Sequence, residues 1–211
     1  PELSILLTDG NNNLKLEFPD LSGETFQNIY ELREMSHTLY EQIKKADVIL
    51  YFINIGNIYP LQLISELPLN LRNTKDTTKE TIEEEIEERR PSQDDPTQVQ
   101  VIDLLQAVSE IKHNKVKLGI ILSAWDLVDI KGEVNPKEFL KKHMNMLWQY
   151  IMANSKKFDA KIWGVSALGG KIEEVDKLIA IEEPVNRIMV INEENVVSHD
   201  ITSIISEMSG E

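Results

Sequence analysis

Residues 118–129 read LGIILSAWDLVD. The first five are uniformly apolar and far too few for a membrane span, which favours a strand covered on both faces. Ser123-Ala124-Trp125-Asp126 then leaves the strand. In open α/β sheets ligands bind in the crevice outside the carboxyl ends of the strands, so Asp126 stands where function is to be sought.

Working outward, the flanking segments supply the rest of such a sheet. Leu3–Thr8 and Leu14–Phe18, joined by the turn formers Asp9-Gly10-Asn11-Asn12-Asn13, predict a β-hairpin. Thr25 can cap a helix running to about Lys45, with Phe26, Ile29, Leu32, Met35, Leu39 and Ile43 on one face. Asp47–Asn54 predicts a second buried strand, Val99–Ile111 a helix, and Lys161–Val165 a third parallel-type strand. Pro136 suits a helix first turn, with Phe139, Leu140, Met144, Leu147 and Ile151 following at helical spacing. An extended run at Arg187–Asn192 and a helix from about Ile201 complete the chain. Strands alternating with helices from residue 47 onward predict an α/β fold with a mainly parallel sheet.

One stretch does not fit this alternation. Residues 73–98 hold four basic and nine acidic residues, including Glu83-Glu84-Glu85 and Glu87-Glu88. Few apolar anchors and high charge predict a solvated, mobile insertion.

Composition narrows the partners. The 211 residues are 41% apolar, enough for one well-packed domain, and 22 Lys and Arg against 36 Asp and Glu leave a net charge of -14. That balance argues against a nucleic-acid binder whose affinity rests on phosphate neutralisation. The absence of cysteine excludes disulfides and thiolate chemistry, and suits a reducing cytoplasm. No apolar run approaches the ~20 residues of a membrane span, so neither a membrane nor nucleic acid is an expected partner. The four histidines, His37, His113, His143 and His199, have no metal-site spacing and read as surface or capping residues. Ser198-His199-Asp200 are adjacent on one turn and cannot converge as a triad.

Three motifs each follow an expected strand: Asp20-x-x-Gly23, Ser123-Ala-Trp-Asp126 and Ser166-Ala167. A parallel arrangement would bring all three to one edge of the sheet. Together they suit a guanine nucleotide. The Asp126 carboxylate can accept from both the ring N1–H and the exocyclic amine of guanine, a pairing adenine does not offer, while the Ala167 amide can donate to the guanine oxygen. Asp20 can hold Mg²⁺ through water, and Gly23, lacking a side chain, admits a γ-phosphate to its amide. Glu24 falls where an attacking water would be oriented, although a carboxylate there faces phosphate charge and needs a cation or proton beside it.

The stretches Asp20-Leu21-Ser22-Gly23-Glu24, Leu122–Asp126 and Gly164–Gly170 resemble the third, fourth and fifth motifs of translation-factor-related P-loop GTPases. More narrowly, ILSAWDLV, GVSALGG and the tail Arg187–Ile191 followed by Ser198–Thr202 are similar to bacterial double-GTPase domains of conflict and defence gene clusters. The resemblance implies a three-layer sandwich whose mainly parallel sheet carries an antiparallel hairpin, binding GTP or GDP with Mg²⁺ and acting as a switch toward a protein partner in a larger assembly.

Two departures qualify it. The family places Asn or Thr and then Lys ahead of the aspartate; here Ser123 and Ala124 stand there, so base stacking would fall to Trp125. No G-x-x-x-x-G-K-[ST] phosphate loop occurs, nor the strand before it. The resemblance puts that strand between Leu14–Phe18 and Asp47–Asn54, so the expectation is a domain over residues 1–211 completed by an upstream segment. The alternative is a catalytically inactive pseudo-GTPase serving as a scaffold. A receiver-like module is disfavoured, because no acidic pair with a lysine stands at the strand ends.

Overall fold

The computed structural model describes residues 3–8, 13–19, 23–61, 90–128, 134–170, 175–180 and 183–210. β1 (Leu3–Thr8) and β2 (Asn13–Phe18) pair antiparallel, Leu3 opposite Phe18 and Thr8 opposite Asn13, as the alternation of residues 14–18 predicts. Among the described residues they form a sheet of their own.

The helix expected over 25–45 is broken. α1 (Gly23–Gln27) passes into a π-helical turn at Asn28–Leu32, and α2 (His37–Lys45) starts afresh. Arg33 adopts φ 60° between them, and Ser36 caps α2 by accepting from Leu39 N at 3.2 Å. Tertiary tethers explain the break. Tyr30 OH donates to Asp95 at 2.6 Å, Ser92 N donates to Glu31 Oε1 at 2.9 Å, and Arg33 pairs with Asp103. These partners, drawn from one neighbouring region, offset the cost of a left-handed arginine and a π turn.

β3 (Val48–Asn54) leads to a short 3₁₀ turn at Ile55–Asn57. Of the expected acidic insertion, residues 73–89 lie outside the described residues. Its final part is folded: α3 (Pro91–Asp94) carries Ser92 and is followed by Asp95, and α4 (Thr97–Ile111), which carries Asp103, begins with Gln98 buried. β4 (Val116–Ser123) is the opening stretch, and the chain then turns through a 3₁₀ segment, Trp125–Leu127.

The helix expected after Pro136 is also two. α5 (Pro136–His143) is capped by Asn135, whose side chain accepts from Lys137 N and Glu138 N, and α6 (Asn145–Ala153) follows a break at Met144. The apolar spacing runs through the break because Met144, fully buried, belongs to the same apolar face as Leu140 and Leu147. β5 (Phe158–Ser166), α7 (Val175–Ile179), a 3₁₀ turn at Pro184–Arg187, β6 (Met189–Ile191), β7 (Val197–Ser198) and α8 (Ser203–Ser209) follow.

The main sheet has the order β3-β4-β5-β6-β7. β3, β4 and β5 are parallel as expected, while β6 and β7 add antiparallel, so the sheet is mixed. Alternation along β4 and β5 serves two cores. Leu118, Ile120, Leu122, Phe158 and Ile162 pack with Val101, Leu105, Leu140, Leu147 and Ile151 of α4, α5 and α6. Ile121, Trp163 and Val165 pack with Val190 and with Ile204 and Met208 of α8. Helices therefore cover both faces, which is why β4 reads as a continuous apolar run.

Candidate functional site

Parallel pairing sets the carboxyl ends of three strands side by side: Asn54 is opposite Ser123, and Ser123 is opposite Val165. Asp126 and Ser166 therefore emerge at one edge of the sheet. Ala124 takes a left-handed conformation, φ 57°, and turns the chain sharply out of β4 into the 3₁₀ segment that carries Asp126. Alanine pays for that turn sterically, so the turn is held by its surroundings. Trp125, with no exposure, lies beneath Gly164, where an added Cβ would come within 2.4 Å of the indole, and against the Phe139 ring at 5.2 Å.

The result is a short polar chain in an apolar frame. Ser166 Oγ donates to Asp126 Oδ1 at 2.7 Å, and Gly169 N donates to Ser166 Oγ at 2.9 Å. Asp126 is 9% exposed and Ser166 wholly buried. The serine thus fixes both the carboxylate and the loop that follows β5. Asp126 Oδ2 has no donor among the described residues, so one carboxylate oxygen and the spare lone pair of the other keep their acceptor capacity. Gly169 closes the loop at φ 74°, where an added Cβ would meet Arg187 O at 2.0 Å, so only glycine fits.

Of the expected site residues, Asp126, Ser166 and Ala167 come together here, Ala167 exposed beside the buried serine. Ser123 is at the same edge, its hydroxyl donating to Ile53 O at 3.3 Å. Trp125 is placed differently: its ring is in the core and offers no face to a base. Its buried Nε1 also lacks a partner among the described residues.

The expected phosphate-side residues are only partly among the described residues. Asp20 lies outside the described residues, Gly23 opens α1, and Glu24 is the next residue, its side chain outside what the structure describes. β2, which precedes them, is not hydrogen-bonded to the main sheet among the described residues. Glu17 near its end accepts from the Gln42 side chain and feels Lys45, at the end of α2 that feeds the start of β3. Lys15, the stronger influence, holds the Glu17 carboxyl below its usual range. Among the described residues no group of three or more His, Asp or Glu side chains gathers to hold a metal ion.

Sequence reasoning passed over Asn54-Ile55-Gly56-Asn57. Asn54 Oδ1 accepts from Gly56 N at 2.9 Å, and a Cβ on Gly56 would meet Leu127 at 2.9 Å, so this turn packs beside Asp126. Its signal was available as a run of turn formers directly after an apolar strand. The Ser198–Asp200 turn is structural: His199 Nδ1 contacts Ile188 O at 2.6 Å, while Ser198 Oγ and the Asp200 carboxylate accept from neighbouring backbone amides.

A family model, Double-GTPase 1, matches residues 1–208. The chain belongs to the Double-GTPase 1 family. No curated protein and no solved structure matches it. No helix among the described residues is long and apolar enough to cross a membrane.

Proposed function

We propose that this Double-GTPase 1 chain is a GTP-binding switch domain whose guanine reader is Asp126. The observation that carries the reading is the Ser166–Asp126 hydrogen bond at 2.7 Å, which orients a nearly buried carboxylate at the carboxyl edge of a parallel sheet. Guanine presents two adjacent N–H donors to such an acceptor, and a site built to pair them rejects bases that leave it unpaired. The Ala167 amide, exposed beside Ser166, would donate to the guanine oxygen.

The phosphate end rests on other residues. Asp20 would hold Mg²⁺ through water, the metal supplying charge neutralisation at the phosphates, and Gly23 would admit the γ-phosphate. Glu24 would orient water. The outer edge of β3, the uncharged VILYFIN, has no strand partner among the described residues, and is where a strand carrying a phosphate loop would pair.

A pseudo-GTPase scaffold is the second reading, favoured by Ala124 in place of a base-packing lysine and by the burial of Trp125. Calorimetric titration of the full-length natural protein with GTP, GDP and ATP separates the two. Guanine preference that disappears in Asp126→Ala supports the switch; no nucleotide binding rejects it in favour of the scaffold.

A further inference from the structure

The opposite end of the sheet carries a second feature. Where β4 and β5 begin, residues 112–115 and 154–157 form neighbouring turns, locked by Val116 N donating to Lys157 O and Lys157 N to Asn154 O, both at 2.8 Å. Between them lies a recess of about 240 Å³ lined by Ser109, Lys112, His113, Lys115, Lys156 and Lys157 among others, with no carboxylate in its wall. In a chain of net charge -14, four lysines around one recess make a local concentration of positive charge.

The lysines divide into two pairs. Lys112 is anchored, its Nζ donating to the carbonyls of Lys44 and Ala46, and Lys115 faces Asp159 at 3.5 Å. Lys156 and Lys157 are exposed and have no carboxylate within ion-pair distance among the described residues. Glu110 and Asp159, the acidic residues nearest in sequence, leave the lysines in excess.

We propose that this recess binds a compact polyanion, a small molecule carrying two or more phosphate groups. Its volume is below the 300–1,000 Å³ typical of sites for drug-sized ligands, which favours a small, charge-dense occupant. Lys112, anchored by two carbonyls, supplies a fixed positive charge, and the exposed Lys156 and Lys157 offer ammonium groups without a carboxylate partner among the described residues. The site is distinct from Asp126 and Ser166: β4 and β5 run seven or eight steps of ~3.3 Å from one end of the sheet to the other, so the two lie roughly 25 Å apart.

Titration calorimetry with inorganic tripolyphosphate tests this on the full chain. Saturable one-to-one binding is expected, weakened at least tenfold in the double variant Lys156→Glu/Lys157→Glu, weakened by added salt, and unchanged in Asp126→Ala. Both lysines are exposed, and matching circular dichroism and thermal midpoints confirm that the variant is folded. Absence of saturable binding, equal binding by the double variant, or loss on Asp126→Ala instead would overturn the assignment. Phosphoinositide vesicles run alongside identify the source of the phosphate: co-sedimentation without soluble tripolyphosphate binding would replace the small-molecule site with a headgroup site. Because guanine binding is read separately through Asp126, failure at one end of the sheet does not imply failure at the other.

Discussion

β4 and the hairpin β1–β2 are both strand-forming sequences, yet they meet opposite fates. Leu118, Ile120, Ile121 and Leu122 of β4 have no exposure, whereas Leu3 is 59% and Leu6 67% exposed in β1. The difference lies in what covers each strand. β4 has a hydrogen-bonded neighbour on either side and helices on both faces; β1 and β2 have each other alone among the described residues. A two-stranded hairpin is at best marginally stable in water, so strand propensity alone does not create a core.

The largest test of that contrast removes one leucine from each region. Leu122→Ala empties a fully covered site and is expected to cost about 2–5 kcal/mol in urea unfolding, whereas Leu6→Ala should change stability by less than about 0.5 kcal/mol. Equal costs would show that the hairpin is covered in solution. Next, Gly164→Ala drives a methyl into the Trp125 indole, expected to cost about 1–3 kcal/mol and to alter Trp125 fluorescence. A neutral outcome would mean that the frame under Asp126 yields more readily than its burial implies. Ser166→Ala strips Asp126 Oδ1 and Gly169 N of a shared partner, at about 1–3 kcal/mol. Guanine affinity should fall along with stability; affinity left intact would remove Ser166 from the reader.

A further effect is confined to alkaline pH. Burial pushes the Tyr51 phenol on β3 from 10.0 to about 12, and burial together with the Asp95 hydrogen bond does the same for Tyr30. In the unfolded chain both phenols ionise near 10, while the folded chain keeps its protons to about 12. The unfolded state then binds fewer protons, so stability should fall as pH rises through that window and be insensitive to these groups below it. Unfolding midpoints measured across the window should show this decline, and Tyr51→Phe should lessen it.

Much of the fold was legible locally. The alternation of residues 14–18, the apolar runs of β3 and β4, and Pro136 behind its Asn135 cap mark elements by periodicity and turn chemistry. The helix breaks at Arg33 and Met144 were not legible, because the apolar stripe continues through both while contacts from distant residues set the backbone. Ser36 did carry a capping signal within the longer pattern. In the site, Asp126 and Ser166-Ala167 were visible as strand exits. The bond between them spans 40 residues and required the register of β4 against β5.

Residue order alone determined the hairpin strands, the strands β3 to β6 and the helix α4, that β4 is buried on both faces, and that Asp126 leaves its carboxyl end. Each follows from side-chain period and turn formers within a few residues. Tertiary structure decided the antiparallel addition of β6 and β7, the separate sheet that the hairpin forms among the described residues, the withdrawal of Trp125 into the core, and the meeting of four lysines at the far end. Those outcomes depend on which distant surfaces exclude water together, a competition among alternative pairings that local periodicity does not encode.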